Sequence, residues 1–447
     1  MSEPTPAGAP GNPAALEPRI IAFVCQWCTY AGADLAGTSR QTYPPNVRTI
    51  MLPCTGRIDV SFILRAFLDG ADGVIVSGCH PGDCHYTAGN YRARRRWTLF
   101  RDLLDATGFD LNRLELAWIS AAEGAKWVKT IQAFSDKIQA LGPYDALRQV
   151  AAQQSPGLAP AAASAATVAG PAQPADPQLS AAIRDALAAG KIKAVAAWTH
   201  NATLSRPRPG WLLPAEAAVE LAAPGPAGNL ARLLKNPKLK ALAPLGLVAR
   251  RREILALNVL VQEAQIDPAQ ILLFTVADDG KFLETTDLPA ATAALARELP
   301  PARPAGFSDA TLKALDDLLA RPPAERWSFW REQSAKCIKC YACRGSCPQC
   351  GCAQCFTDKN QPQWFPTAAD GAGNLSWHLI RAFHLAGRCV GCGACAAACP
   401  EGIPLDLLNA ALARSALKHF GHRAGLDPAG LPLQADFLPA DQADFIL

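Results

Sequence analysis

The 16 cysteines and their placement constrain this 447-residue chain more than any other feature. Five of them lie between Cys25 and Cys84, eleven lie between Cys337 and Cys399, and residues 85–336 contain none. Disulfide frameworks are typical of small secreted domains, and residues 1–18 lack the apolar stretch of a signal peptide. Clustered cysteines in a long chain of this kind indicate metal or iron–sulfur ligation in a reducing compartment, so we expect a cytoplasmic protein.

Charge and hydropathy exclude two other classes of partner. The net charge of +4 comes from 43 basic and 39 acidic residues, which is too balanced to indicate binding to nucleic acid or to an anionic membrane. A basic run on a predicted helix (Arg92, Arg94, Arg95 and Arg96) is interpreted as a solvated face or a partner-docking patch. The chain has no run of about 18 uncharged apolar residues, which excludes a membrane-spanning helix.

Strand-like and helix-like segments alternate before residue 145. Short β-rich runs lie at 19–24, 47–52, 73–77 and 114–119, and helix-like stretches at about 57–69, 86–107 and 122–141. This alternation predicts a parallel sheet with helices on both faces. Further strands are predicted at 193–198, 245–248 and 271–275, with helices at 252–264, 376–385 and 404–418.

Three of the first five cysteines come directly after predicted strands. Cys25 follows the first strand, Cys54 the second and Cys79 the third. Because the carboxyl ends of parallel strands meet at one edge of a sheet, we expect these three thiols to lie close together.

The other two N-terminal cysteines extend this set on neighbouring loops. Cys28 forms a C-x2-C with Cys25, and Cys84 forms a C-x4-C with Cys79. Four thiolates can hold a 2Fe–2S cluster, a 4Fe–4S cluster or a zinc ion, so one of the five is spare, and the spacing does not say which. His80 and His85 either join a mixed site or donate hydrogen bonds to cluster sulfur.

Residues 19–145 resemble the iron–sulfur delta subunit of methyl-viologen-reducing hydrogenase. The matching segments are Cys25-Gln26-Trp27-Cys28, Leu52-Pro53-Cys54-Thr55-Gly56-Arg57, Gly78-Cys79-His80-Pro81-Gly82-Asp83-Cys84-His85-Tyr86 and Glu123-Gly124. The resemblance implies a 2Fe–2S cluster. It also implies docking to a flavin-containing subunit of the heterodisulfide-reductase type.

The C-terminal cysteines repeat a rhythm typical of bacterial ferredoxins. In that pattern, three thiolates of a C-x2-C-x2-C loop bind one 4Fe–4S cubane, and the fourth cysteine, before a proline, ligates the other cubane. One predicted set is therefore Cys337, Cys340, Cys343 and Cys399, and the other is Cys389, Cys392, Cys395 and Cys347.

Cys350, Cys352 and Cys355 remain outside these two sets. Their C-x-C-x2-C spacing could hold a third 4Fe–4S cluster with one non-cysteine ligand, for which Asp358, His378 and His384 are the candidates. The alternatives are a zinc site or thiols that simply pack beside the two cubanes.

Segments 337–356 and 381–408 resemble the dicluster ferredoxin region of the beta-subunit family of formate dehydrogenases and deazaflavin-dependent hydrogenases. Residues 246–257 are similar to another segment of that family, although relatives often carry Cys-Asp at the position of an Arg pair here. The middle region has no dinucleotide-binding or phosphate-binding motif, so we interpret it as an α/β domain without visible chemistry of its own.

These observations predict an α/β protein built from an N-terminal flavodoxin-like parallel sheet with an iron–sulfur site, an α/β middle domain and a ferredoxin domain with two 4Fe–4S clusters. The expected order is a disordered tail (1–18), the delta-subunit-like domain (19–145), an Ala/Pro-rich linker (146–180), the middle domain (181–330), the ferredoxin domain (331–420) and an extension (421–447).

The leading functional hypothesis is an electron-transfer subunit that links a hydrogenase or formate-dehydrogenase-type catalytic subunit to a heterodisulfide-reductase-like flavoprotein. The alternative is a flavin-containing subunit, with FAD in the middle domain, that reacts with a soluble hydride carrier. A zinc-based structural or nucleic-acid-binding protein is a third hypothesis.

Overall fold

The computed structural model describes residues 17–144, 146, 174–200, 207–213, 221–223, 225, 228–359, 361, 363–364 and 366–441. The described chain forms two compact units. The first takes the residues before 94 and those from 111 to 146, and the second takes 94–110 and the residues from 174 onward. Most of the predicted tail and the greater part of the predicted linker lie outside the described residues.

The first unit is built on a four-stranded parallel sheet of order β2-β1-β3-β4. Its strands are β1 (Ile20–Cys25), β2 (Val47–Leu52), β3 (Gly73–Gly78) and β4 (Leu114–Trp118). The helices are α1 (Ala31–Thr38), α2 (Val60–Leu68), the start of α3 (Gly89–Thr107), which belongs to the second unit from Arg94 onward, and α4 (Gly124–Leu141). A π-helical turn lies at Gln26–Tyr30.

Burial explains why the strands of this sheet are apolar runs. Every residue of β3 is buried, and β1 is buried except at Ile21, because helices cover both faces of a parallel sheet. The edge strand β2 differs, since Thr49, Ile50 and Met51 are exposed. On one face, α4 places Trp127, Ile131 and other buried side chains against the sheet.

The second unit contains a five-stranded mixed sheet of order β6-β5-β7-β8-β9. The strands are β5 (Ala194–Thr199), β6 (Arg208–Leu212), β7 (Leu245–Ala249), β8 (Ile271–Val276) and β9 (Phe282–Thr286). The three inner strands are parallel, and the two outer strands are antiparallel additions that the sequence did not predict. Helices α5 (Pro177–Ala188), α6 (Pro237–Lys240), α7 (Arg251–Gln262) and α8 (Leu288–Glu298) accompany them.

The cysteine-rich part of the second unit is mostly loop, held by helices. These are α9 (Asp309–Leu319), α10 (Pro323–Ala335), α11 (Ala342–Ser346), α12 (Gly371–His384), α13 (Ala394–Ala397) and α14 (Leu405–Phe420). Helix α12 packs against α10 and α14 and is buried along nearly its whole length. Its polar side chains therefore lie inside the protein and need partners there.

The basic run on α3 is neither a solvated face nor a docking patch, and this part of the sequence interpretation was wrong. Arg94 and Arg95 are buried. Arg95 donates to Asp436 at 3.0 Å and to Asp441 at 2.9 Å, and Arg94 donates to the Leu438 carbonyl at 2.6 Å. The two arginines therefore anchor the C-terminal extension within the second unit. Only Arg92 of the run is exposed.

In the part of the chain that the structure describes, no helix is both long enough and apolar enough to cross a lipid bilayer.

Candidate functional site: three groups of cysteines

All five N-terminal cysteines are buried at the carboxyl edge of the first sheet. The sulfur atoms of Cys25, Cys28 and Cys79 lie within 4.8 Å of one another. Cys25 Sγ is 3.8 Å from Cys79 Sγ, and Cys54 Sγ is 3.7 Å from Cys84 Sγ. The strand ends and loops that the sequence singled out are thus brought to one place within the first unit.

Glycine and asparagine at the start of α3 make room for these thiols. A Cβ on Gly89 would lie 2.3 Å from Cys54 Sγ and 3.1 Å from Cys84 Sγ, so no larger residue fits beside the sulfurs. The next residue, Asn90, is fully buried and donates to the carbonyls of Cys79 and His80 at 3.1 and 2.6 Å. Asn90 therefore fixes the loop that carries Cys79, a role that the sequence did not reveal.

The two histidines of the loop have partners away from the thiols. His80 Nε2 lies 2.7 Å from Glu123, and the Ser120 amide and His80 hold the pKa of that carboxyl down at about 2. The His85 ring stacks on Trp27, with ring centroids 3.8 Å apart. In the described residues, the group of close potential ligands contains cysteines and no histidine.

Crowding and burial favour the protonated forms of the Cys54 and Cys28 thiols in the absence of a metal. The neighbouring Cys25 thiol and burial raise the pKa of Cys54, and burial raises the pKa of Cys28. A bound metal would have to displace the protons, because the thiolate is the ligand.

The first C-terminal set surrounds a cavity. Cys337, Cys340, Cys343 and Cys399 line a cavity together with Tyr341, Trp377 and His378. This is the set that the ferredoxin rhythm predicts for one cluster, including the fourth cysteine from the distant run. Burial raises the pKa of Cys337 to about 11.

In the second set, Cys347 influences the three cysteines of the other run. Burial is the main cause of the raised pKa values of Cys392 and Cys395, at about 11 and about 12, and the nearby Cys347 thiol raises both further. Burial likewise raises the pKa of Cys389 well above its ordinary value, with contributions from Cys395, Cys392 and Cys347. Cys347 therefore lies among the cysteines of the other run.

The backbone of the two runs is duplicated as well as the spacing. Lys339 and Gly391 occupy equivalent positions and have φ of 51° and 64°, and Tyr341 and Gly393 have φ of 57° and 70°. Alternation of left-handed residues turns successive N–H groups toward the enclosed space. One such N–H, that of Lys339, donates to Cys337 Sγ at 3.4 Å.

The remaining three cysteines lie around a separate cavity. Cys350, Cys352 and Cys355 line it, and so does His384. Of the other two candidate ligands, Asp358 is paired with Arg344 at 2.7 Å, and His378 lines the Cys337 cavity instead.

Helix α12 contributes polar groups that the sequence analysis missed. Asn374 donates to the carbonyls of Ser334 and Cys337, at 3.0 and 2.8 Å. Arg381 donates to the Cys343 carbonyl at 2.9 Å, and the Cys347 and Cys395 thiols lie within its electrostatic range. His378 is buried, and neither ring nitrogen has a hydrogen-bond partner among the described residues. Polar residues on a helix that is otherwise mostly apolar were the sequence signal that could have identified these groups.

Residues 20–142 match the model of a protein family described as the delta subunit of methyl-viologen-reducing hydrogenase. The same region is 54% identical over 127 residues to the vhc iron-sulfur subunit of the F420-non-reducing hydrogenase of Methanococcus voltae. That alignment covers 28% of this chain and 88% of the relative. Through this region, the chain belongs to the delta-subunit family.

A second relative, the iron-sulfur subunit of the F420-non-reducing hydrogenase of Archaeoglobus profundus, is 48% identical to the delta-subunit region over 128 residues. These are 29% of this chain and 93% of that relative. The region is also 44% identical over 126 residues to one subunit of the Ferredoxin/F(420)H(2)-dependent CoB-CoM heterodisulfide reductase of Methanosarcina acetivorans. Here the alignment covers 28% of this chain and spans only 16% of the relative. Delta-subunit domains thus occur both as separate hydrogenase subunits and inside a larger reductase subunit.

Proposed function

We propose that this chain is a multi-cluster iron–sulfur electron-transfer subunit of a cytoplasmic oxidoreductase complex. It relays electrons between a hydrogenase or formate-dehydrogenase-type catalytic subunit and a heterodisulfide-reductase-like flavoprotein. The delta-subunit domain (19–145) carries a 2Fe–2S cluster, and a ferredoxin-type domain (331–420) carries two 4Fe–4S clusters. The α/β region at 181–330 serves as a scaffold.

The observation that carries this proposal is the gathering of cysteines from distant parts of the chain. Cys399 joins Cys337, Cys340 and Cys343 around one cavity, and Cys347 lies with Cys389, Cys392 and Cys395. An exchange of the fourth ligand between two runs is the arrangement of two-cluster ferredoxins. A cavity lined by four thiols fits a multi-atom cluster, because thiolates are the ligands that hold iron–sulfur clusters.

The delta-subunit domain fits a metal cluster through its donor set. Cys25, Cys28 and Cys79 already have their sulfurs within reach of one metal centre, and Cys54 and Cys84 are paired beside them. The missing side chain of Gly89 leaves the space that the sulfurs occupy. Four of the five thiols would bind the cluster, and one is spare.

Hydrogen-bond donors and charges of the protein would adjust the reduction potentials of the clusters when these are bound. One-electron transfer is the chemistry that iron–sulfur clusters supply. Backbone N–H groups point at two of the sulfurs, from Gly56 to Cys54 Sγ and from Lys339 to Cys337 Sγ, each at 3.4 Å. Such donors, together with the buried Arg381 charge, stabilise added negative charge and so raise the reduction potential.

Anaerobic copurification with its partners, followed by iron and sulfide counting and paramagnetic resonance, tests the proposal. One 2Fe–2S and two 4Fe–4S clusters require at least roughly ten irons per chain. Recovery of the chain with hydrogenase-type and flavoprotein subunits supports the relay. A preparation that contains zinc in place of iron, or that is catalytically complete as an isolated monomer, would refute it.

A further inference from the structure

The cavity beside Cys350, Cys352 and Cys355 is not used by the two-cubane arrangement. Its wall also contains His384, at the end of α12, and Arg381. The apolar side chains of its lining are Phe356, Trp377 and Leu385. Three thiols and one imidazole therefore line the same cavity and are four potential ligands for a metal centre.

The spacing of these ligands fits a cluster better than a single ion. Zinc bonds of about 2.3 Å place tetrahedral sulfur ligands about 3.8 Å apart. In the described residues, only Cys25, Cys28 and Cys79 have three ligand atoms within 4.8 Å of one another. The Cys350 set instead resembles the Cys337 set, because each lines a cavity without bringing three ligand atoms that close together.

The fourth ligand follows from where each candidate lies. The two carboxylate oxygens of Asp358 accept from Arg344 at 2.8 and 2.7 Å, and one of them also accepts from the Cys355 amide. His378 lines the other cavity. His384 lines this one, and its ring stands edge-on to Phe356 with centroids 5.2 Å apart.

The charges around the cavity favour an anionic ligand. Arg344 is neutralised by Asp358, and Arg388 is paired with Glu263. Arg381 is buried, its Nε has no hydrogen-bond partner, and no acidic side chain in the described part of the chain pairs with it. A buried cation is costly unless an anion accompanies it, and a thiolate-ligated cluster carries net negative charge.

We propose that Cys350, Cys352, Cys355 and His384 bind a third cluster, of the 4Fe–4S class, beside the Cys347 site. Cys350 follows Cys347 by three residues, so the two sites are neighbours along the chain. Cys352 is exposed, so the third cluster lies near the surface of the second unit. This inference rests on the proposed function, since it assumes that the neighbouring set holds a cubane.

The test compares the full chain with three variants, all purified anaerobically. The wild-type chain should hold roughly fourteen irons rather than ten. Cys355→Ser should lose about four irons and one paramagnetic signal, while the signals of the other clusters persist. His384→Cys should keep the iron but shift the signal of this cluster alone, because the ligand changes without loss of the site.

Asp358→Asn is the matched control, because it disturbs the same loop through Arg344 without removing a proposed ligand. It should keep full iron content and an unchanged signal. A wild-type iron count near ten, one zinc per chain, or a His384→Cys spectrum identical to wild type would overturn the inference. If Cys343→Ser and Cys392→Ser also left every signal intact, the proposed function would be refuted together with the third cluster. If these two variants lost signals and Cys355→Ser lost none, only the third cluster would be refuted.

Discussion

The two ferredoxin-type cysteine runs adopt the same backbone by different means. In the second run, the two left-handed positions are Gly391 and Gly393, which adopt positive φ without a steric penalty. In the first run, the same positions are Lys339 and Tyr341, for which a left-handed conformation costs about 1–2 kcal/mol each.

Tertiary contacts hold the first run in this conformation. Lys339 is buried and its Nζ donates to the carbonyls of Pro366 and Ala368. The Tyr341 ring stands edge-on to Trp377 with centroids 5.2 Å apart. The difference teaches that the wrapping of a cysteine loop depends on its φ angles, and that glycine is dispensable where the side chain is anchored elsewhere.

The largest effect is expected from substituting one cysteine in each run. Cys343→Ser and Cys392→Ser should each remove about four irons and one low-potential signal, because each removes a ligand of a different proposed cubane. Paramagnetic resonance of the reduced protein measures this. The signal of the delta-subunit domain should persist in both variants. Loss of every signal from either substitution would mean that the clusters do not assemble independently.

Gly391→Ala should be the next most disruptive change. An added Cβ would lie 2.6 Å from the Phe307 nitrogen, at a φ of 64°, so the variant suffers both strain and overpacking. We expect a loss of about 3 kcal/mol in the free energy of unfolding. The urea midpoint for loss of the iron–sulfur absorbance, measured anaerobically, reports it. A midpoint equal to that of wild type would show that the loop tolerates a different backbone.

Substitutions at Lys339 examine the anchor of the first run. Lys339→Met removes the donors to Pro366 and Ala368 and should cost about 1–2 kcal/mol, since water can reach those carbonyls in part. It should also lower the potential of the first cubane and leave the second unchanged, because a cation near Cys337 is lost. Potentiometric titration followed by paramagnetic resonance separates the two clusters.

Lys339→Gly is the control for backbone strain. It loses the same donors but relieves the left-handed strain, so it should be more stable than Lys339→Met by about 1 kcal/mol. A glycine variant less stable than the methionine variant would show that strain at this position is unimportant.

The smallest expected effect is that of Gly393→Ala. Nothing lies within 4 Å of an added Cβ at this position, so only the left-handed φ of 70° opposes the side chain. We expect a loss of about 1 kcal/mol in the same urea experiment. A loss as large as that of Gly391→Ala would mean that the cluster itself, rather than protein atoms, fills the space beside Gly393.

The sequence predicted what depends on short-range patterns. The inner strands β1 and β3 of the first sheet and the inner strands of the second are nearly continuous apolar runs, which buried parallel strands require. The cysteine rhythm likewise predicts two sets of ligands, and the first of them, with Cys399, lies around one cavity. The edge strands β6 and β9 were missed because Pro209, Gly210 and the exposed Leu283 and Glu284 give them no apolar pattern.

Long-range partners could not be predicted in the same way. The basic run on α3 has its acidic partners 341 and 346 residues later in the chain, so its burial has no local signature. The left-handed Lys339 is equally hidden, because the carbonyls that anchor it lie 27 and 29 residues away in a loop. In both cases the fold, rather than local preference, determines the conformation.

The exchange of the fourth cysteine between the runs is the central claim, and Cys399→Ser tests it most directly. Its paramagnetic resonance spectrum should lose the same signal as Cys343→Ser, because Cys399 shares a cavity with Cys337, Cys340 and Cys343. The account would be contradicted if Cys399→Ser lost the signal that Cys392→Ser loses, since each run would then ligate its own cluster.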